Sequence, residues 1–350
     1  MNKQQKSMLK TLVLILAVLA ILLGAVSALK RSKAKSKAEA EAASSAENTV
    51  TDTSVKYTAL TYSNGTATLS FALNEDGAWY WADDPEFPLN ENDIIKIINT
   101  ITGLKPQQTI TGADALEDYG LDAPSMTLTA APAQGDSLTL YLGNQVTGDS
   151  GSYYMYIDGD ETTVYVVENT LANELSQGIY DMMQLPDLPV ISEEKLTSVS
   201  VQGAAETFLT AGTQTVETQP AASSSSGASS GAGSAETTVT WSSGGTDVTG
   251  NETVQSLISA VRTLSIDKCV DYKPSAEAVS LCGFDAPAAA VTVIYRDDTD
   301  AEQTLTLTVG AAASDGASRY VRINDDSTVY AMSADSLSAV LTVAAGGLSA

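Results

Sequence analysis

Apolar residues along the chain fall into three patterns. The first is unbroken: Thr11 to Leu29 (TLVLILAVLAILLGAVSAL) is an uncharged run of 19 residues. At 1.5 Å per residue, a helix of that length matches the roughly 30 Å hydrocarbon core of a bilayer. The second pattern alternates. Tyr57–Tyr62 and Thr66–Leu73 flank the hairpin signal Asn64-Gly65, and a further strand carries Trp79, Tyr80 and Trp81. After a turn come strands at Met126–Ala130, Leu138–Leu142, Tyr153–Ile157 and Val164–Val167. The third pattern is helical. Ile94, Ile95, Ile98 and Ile101 predict one amphipathic helix with Asn92 as its cap, and Leu171–Met182 predict a closing one.

The whole series then recurs. Gly120-Leu121-Asp122-Ala123-Pro124 returns as Gly283-Phe284-Asp285-Ala286-Pro287, an offset of 163. Trp79 answers Trp241 at 162, Tyr154 answers Tyr320 at 166, and Gly143 answers Gly310 at 167. Val164-Tyr165 answers Val329-Tyr330 at 165. Val254, Leu257, Ile258, Val261 and Leu264 repeat the amphipathic helix. Strands are expected at Val291–Tyr295, Leu305–Val309, Tyr320–Ile323 and Val329–Met332, closed by a helix at Asp335–Val343. Upstream, Asn64-Gly65 pairs with Gln202-Gly203 at only 138, so some 24 residues are inserted between that turn and the tryptophan strand. The Ser/Gly/Ala tract inside residues 213–236 accounts for them, and it lacks the apolar content of a core. The expected class is α+β: two homologous repeats of antiparallel sheet with covering helices, after an N-terminal transmembrane helix.

Charge refines this division. The chain has 43 Asp+Glu against 18 Lys+Arg, and eight of the basic residues lie in the first 37 positions, which carry no acid. The rest of the chain is therefore strongly acidic, which argues against nucleic-acid binding. The chain has no histidine, which removes Ser-His and Cys-His catalysis and His-ligated metal sites. The organisation expected is a cytoplasmic terminus at 1–10, a signal anchor at 11–29 and a flexible stalk at 30–54. Repeat one then covers 55–188 and repeat two 189–350. Lys30, Arg31, Lys33, Lys35 and Lys37 outnumber the basic residues before the span, and the positive-inside rule alone would hold the body in the cytoplasm. A lone leading anchor before a body poor in Lys and Arg points instead to export, giving a single-pass membrane protein with an extracytoplasmic body. Ala25-Val26-Ser27-Ala28 leaves cleavage of the segment open.

The N-terminal span, the Trp-bearing strand, the helix, Tyr119-Gly120-Leu121-Asp122-Ala123-Pro124 and the later Leu-Gly, Tyr and Val-Tyr strands together resemble a bacterial family. This is the family of domain of unknown function 4340, and the resemblance covers about residues 55–345. Repeat two departs from it slightly, with Cys282-Gly283-Phe284 in place of Tyr119-Gly120-Leu121. The resemblance implies an envelope protein with one N-terminal anchor, an accessory of gliding-motility-type or other ABC transport systems. It supplies no catalytic residue and no cofactor.

Candidate sites are few. Tyr141, Tyr153, Tyr154, Tyr156 and Tyr165 concentrate on the first repeat's sheet, and Tyr153, Tyr154, Tyr156 and Tyr165 are the candidate binding surface for sugar or a partner protein, against a reading as ordinary half-buried strand residues. Cys269 and Cys282 are 13 apart, the spacing of a disulfide-closed loop or of two buried thiols. The acid clusters at Asp158–Glu161, Asp297–Asp300 and Asp325-Asp326 lack the twelve-residue calcium pattern and read as turns. The Gly-Leu/Phe-Asp-Ala-Pro motif reads as a structural turn, with Leu121 or Phe284 plugging the core. The expected function is therefore non-catalytic binding, with ABC transporter subunits as the partner the resemblance implies. A wall-polysaccharide module is the alternative, and a carboxylate-dependent hydrolase comes third.

Overall fold

The computed structural model describes residues 49–113, 115–148, 151–217 and 235–348. The expected span at 11–29 and most of the Ser/Gly/Ala tract lie outside them. Among the described residues no helix is long and apolar enough to cross a membrane. The chain divides into two compact units: residues up to Glu86 with Glu91–Gln177, and Phe87–Asn90 with Gly178 onward.

The first unit is one antiparallel sheet of eight strands. These are β1 (Tyr57–Ser63), β2 (Thr68–Leu73), β3 (Trp79–Trp81), β4 (Gln108–Thr111), β5 (Met126–Pro132), β6 (Leu138–Gln145), β7 (Ser152–Ile157) and β8 (Thr163–Glu168). Their order across the sheet is β3-β2-β1-β5-β6-β7-β8-β4. Register places Leu60 opposite both Phe71 and Ala130, and Tyr62 opposite Leu69 and Leu128. These residues, with Leu140, Leu142 and Met155, form one buried face. Helices α1 (Glu91–Ile101) and α2 (Thr170–Leu175) pack on each other.

The helical stripe differs in phase from the expectation. Ile94, Ile97 and Ile101 are buried and Ile95 is 43% exposed. Asn92 lies inside the first turn of α1 rather than capping it. The expected closing helix is shorter too, α2 ending at Leu175 before a separate 3₁₀ turn at Ile179–Met182. Residues 49–54, assigned by composition to the stalk, belong to the fold. Thr51 Oγ1 donates to the Ile101 carbonyl at 2.6 Å and accepts from the Leu104 amide at 2.7 Å, closing the C-terminal end of α1.

The second unit repeats this plan with nine strands. They are β9 (Leu196–Gln202), β10 (Glu206–Glu217), β11 (Ala235–Ser243), β12 (Thr246–Asp247), β13 (Lys268–Asp271), β14 (Ala289–Arg296), β15 (Glu302–Ala312), β16 (Ser318–Ile323) and β17 (Val329–Ser333). Their order is β12-β11-β10-β9-β14-β15-β16-β17-β13, the first sheet's order with one added edge strand. Helices α3 (Glu252–Val261) and α5 (Ser338–Gly346) pack together, and α5 lies on β9, β10 and β14. A short α4 (Ala276–Leu281) precedes the second turn motif. Asn251 caps α3, accepting from the Thr253 and Val254 amides, and Val254, Leu257, Ile258 and Val261 are buried as the spacing predicts.

Register supports the duplication residue by residue. Trp79 lies opposite Leu73, and Trp241 lies opposite Ala211. The first hairpin differs by one residue. Buried Leu60 and Tyr62 correspond to Val199 and Val201, an offset of 139, because β9 and β10 are joined by a turn one residue shorter than that between β1 and β2. A one-residue slip would turn every side chain of β9 to the wrong face, so burial fixes the alignment.

Candidate functional site

In the first unit the turn motif brings together residues from several elements. Leu116–Tyr119 form a 3₁₀ turn ended by Gly120 at φ 66°. The following Leu121 is buried, 1% exposed, in a small cluster with Tyr156 and Val164. Ile110, Leu116, Tyr119, Tyr141 and Tyr154 pack around that cluster. This group sits on the sheet face opposite Leu140 and Met155, and the motif loop covers it. Gly143 on β6 permits the covering, because a β-carbon there would strike the Tyr119 carbonyl oxygen and the Leu121 side chain. Gly310 stands in the same relation to the Cys282 carbonyl. The motif is thus a structural turn in both units, although Phe284 stays half-buried where Leu121 is enclosed.

The four candidate tyrosines do not form one surface. Tyr154 faces Val166 across the β7–β8 ladder and shares its side of the sheet with Tyr156. Tyr153 pairs with Val167 and Tyr165 with Met155, on the opposite side. Tyr154 and Tyr156 instead join two tyrosines from other elements. Tyr141 stacks on Tyr156 with ring centroids 4.6 Å apart, and Tyr119 meets Tyr154 edge-on at 5.0 Å. Burial raises the Tyr156 hydroxyl above its ordinary range, with smaller contributions from Tyr141, Glu161 and Asp158. Burial likewise raises Tyr165, followed by Asp160.

The remainder of that sheet face carries hydroxyls. Ser70, Thr61, Thr129 and Thr139 lie in one cross-strand row. Thr61 and Ser70 share a hydrogen bond of 3.1 Å, as do Thr129 and Thr139. The second unit answers with Phe208, Ser200, Thr292 and Thr306 in register, Phe208 being 57% exposed.

A family model described as Domain of unknown function (DUF4340) matches residues 79–239 and 245–344. The chain belongs to the DUF4340 family. No curated protein and no solved structure matches it.

In this DUF4340 chain Cys269 and Cys282 are both buried, with free thiols. Burial, reinforced by Asp271 and Asp326, pushes the Cys269 thiol up to about 12. Burial and Asp271 also raise Cys282. Among the described residues no group of three or more Cys, Asp or Glu is placed to hold a metal. The acid clusters act as turn-formers. Asp297 accepts from the Thr299 hydroxyl and amide, the Ala301 amide and the Gln303 side chain. These bonds, the Thr299 hydroxyl foremost, hold it at about 2. A shallow concavity of about 420 Å³ in the second unit is lined by Val190, Lys195, Tyr295 and Asp298, but Asp298 holds Lys195 Nζ at 2.7 Å.

Sequence spacing places Tyr141 on the same sheet but not beside Tyr156, and it misses Tyr119 as a member of the tyrosine group. The alternation of β7 indicates that Tyr154 and Tyr156 share a side, yet only strand register brings Tyr141 beside Tyr156. The left-handed Gly120 that swings Tyr119 over the sheet is legible in the motif. Its landing place on Gly143 is not.

Proposed function

We propose that this DUF4340 protein is a single-pass membrane protein with an extracytoplasmic body that acts by binding, as an accessory or assembly partner of an ABC-type transport system. The observation that carries the binding role is the use of the two sheets. Each unit buries one face under helices, and the other carries the motif loop beside an in-register row of hydroxyls, so that chemistry-bearing groups are spread over a broad surface. The apolar run at 11–29 supports the anchor. The transport role rests on the family resemblance alone.

The deciding experiment is recovery from mildly solubilised membranes, comparing the full chain with a chain lacking residues 1–30. Stoichiometric permease or ATPase subunits with the full chain are the expected result. Recovery of neither subunit would overturn the transport role. A wall-polysaccharide module is the second reading, drawing on the Tyr119–Tyr154 and Tyr141–Tyr156 ring pairs. It requires retention on purified cell wall that Tyr154→Ala with Tyr156→Ala abolishes.

A further inference from the structure

The tyrosine group of the first unit is rimmed by carboxylates from two directions. Glu117 and Asp118 lie in the 3₁₀ turn that carries Tyr119, and Asp122 follows Leu121. Asp158, Asp160 and Glu161 form the turn that leaves β7 just past Tyr156. The two segments adjoin, because the Gly112 and Ala113 amides both donate to the Thr162 carbonyl, at 2.9 and 3.1 Å. Asp158 stands two residues past Tyr156, so this acidic turn lies at the same end of β7 as that ring.

Among the described residues no cation answers this charge: no lysine or arginine pairs with Glu117, Asp118, Asp122, Asp158, Asp160 or Glu161. The basic residues of the unit's described chain are Lys56, Lys96 and Lys105. Lys96 is held by Asp93 at 2.7 Å. Lys105 precedes β4 at the Gln108 end, whereas the acidic rim lies beyond Thr111 at the other. Lys56 enters β1, which β5 and β6 separate from β7.

The second repeat shows what the same place accepts. Offsets of 163 and 166 make Phe284 the counterpart of Leu121 and Arg322 the counterpart of Tyr156. Arg322 lies over the Phe284 ring, its guanidinium carbon 5.8 Å from the centroid. Its Nε and Nη2 donate to the Asp326 carbonyl, both at 3.3 Å, and Asp326 is the counterpart of Asp160. The second repeat therefore combines ring, turn carbonyl and built-in guanidinium. The first has four rings and a denser carboxylate rim, with tyrosine where the guanidinium would be.

We propose that the acid-rimmed surface formed by the half-buried rings of Tyr119, Tyr141 and Tyr154, laid over the buried Tyr156, docks an arginine- or lysine-bearing segment of a partner protein. The negative ring faces attract a cation, and the carboxylates add charge-assisted hydrogen bonds from the guanidinium or ammonium. This inference rests on the binding role above and names the chemistry of the partner. It does not depend on that partner being a transporter.

The test uses the full chain in mild detergent, labelled with ¹³C in its tyrosine rings. It is titrated with a blocked hexapeptide of alternating glycine and arginine, and with the same peptide carrying neutral citrulline. Shifts at Tyr119, Tyr141 and Tyr154 are expected, with affinity lower by roughly tenfold for the citrulline peptide. The surface pair Asp158→Asn with Glu161→Gln should weaken the arginine peptide by a similar factor while leaving the melting temperature in place. Tyr154→Leu should also weaken it. Equal affinity for the parent and the charge-neutral pair would overturn the proposal, since attraction would then come from the acidic chain at large. Shifts confined to other tyrosines would overturn it as well. Tetramethylammonium binding as tightly as the peptide would replace a protein partner by a small organic cation. If this binding holds while membrane recovery yields no transporter subunit, the transport role fails and the docking surface stands.

Discussion

Gly143 lies against the carbonyl oxygen of Tyr119 with no room between them for a methyl group. The same contact recurs between Gly310 and Cys282, so each repeat depends on a bare α-carbon where its motif loop crosses the sheet. Gly143→Ala should cost about 1–3 kcal/mol, the usual range for overpacking. Thermal or denaturant unfolding followed by circular dichroism would measure it. Gly250→Ala serves as the control, because a β-carbon there meets nothing within 4 Å. A Gly143→Ala protein as stable as that control would contradict the crossing.

Cys269, held at about 12, has roughly one thiolate in ten thousand at pH 8. Iodoacetamide at that pH should leave Cys269 unmodified in the folded protein, while denaturant should expose both cysteines to quantitative alkylation. Intact-mass and peptide spectrometry would read both states. Rapid native labelling of Cys269 would rule out the burial described for β13.

Glu174 gives the first unit a pH dependence. Its Oε1 accepts from Thr100 Oγ1 at 3.0 Å, and its Oε2 is buried with no hydrogen-bond partner. Burial raises the carboxyl above its ordinary 4.5, opposed by Thr100 and Lys96. A carboxyl whose folded pKa lies above its unfolded one binds its proton more tightly when folded. Its contribution to stability is therefore complete below about 4.5 and is lost as pH rises through the folded value. Glu174→Gln should flatten the fall in stability over that window. Unfolding midpoints between pH 4 and 7 would test it, and parallel curves for the two proteins would contradict it.

What was legible in the sequence follows from which forces are local. Alternation along β5, β6, β14 and β15 is strong because each has one mostly buried side, whereas β17 is buried through four consecutive residues and reads as a continuous apolar run, and these strands lie where the pattern places them. β4 (Gln-Thr-Ile-Thr) and β13 (Lys-Cys-Val-Asp) carry no such signal. They are edge strands defined by pairing with β8 and β17. Asn92 shows the limit for helices, since cap and first-turn positions differ by two residues and Glu91 already occupies the helix. There Glu91 accepts from the Trp79 amide at 2.8 Å. The tyrosine surface was half legible. Tyr154 and Tyr156 share a side by simple alternation, while Tyr119 and Tyr141 are brought in by a loop crossing and a cross-strand register.

Phe87 provides the fourth prediction. It is buried in the second unit, stacked on Tyr180 at 6.4 Å and edge-on to Tyr272 at 5.2 Å. Phe87→Ala should destabilise that unit by about 3–5 kcal/mol, the range for deleting a buried phenylalanine. Hydrogen exchange would locate the loss. Protection should fall in the second unit's strands and persist in β5 to β8. A uniform loss over both units, or none, would contradict the assignment of Phe87.

The excursion of Phe87–Asn90 also bears on biosynthesis. Leu89 bridges to Met183, the Asn90 amide bonds the Met182 carbonyl, and the Gln184 amide bonds the Pro88 carbonyl. These four residues leave the ribosome before α1, most of the first sheet and α2, yet they complete a unit whose remaining chain starts at Gly178. During translation this piece of the later-made unit must wait for its partners while the chain around it folds. A gene cut at the repeat boundary would likewise yield a second half lacking part of its own wall.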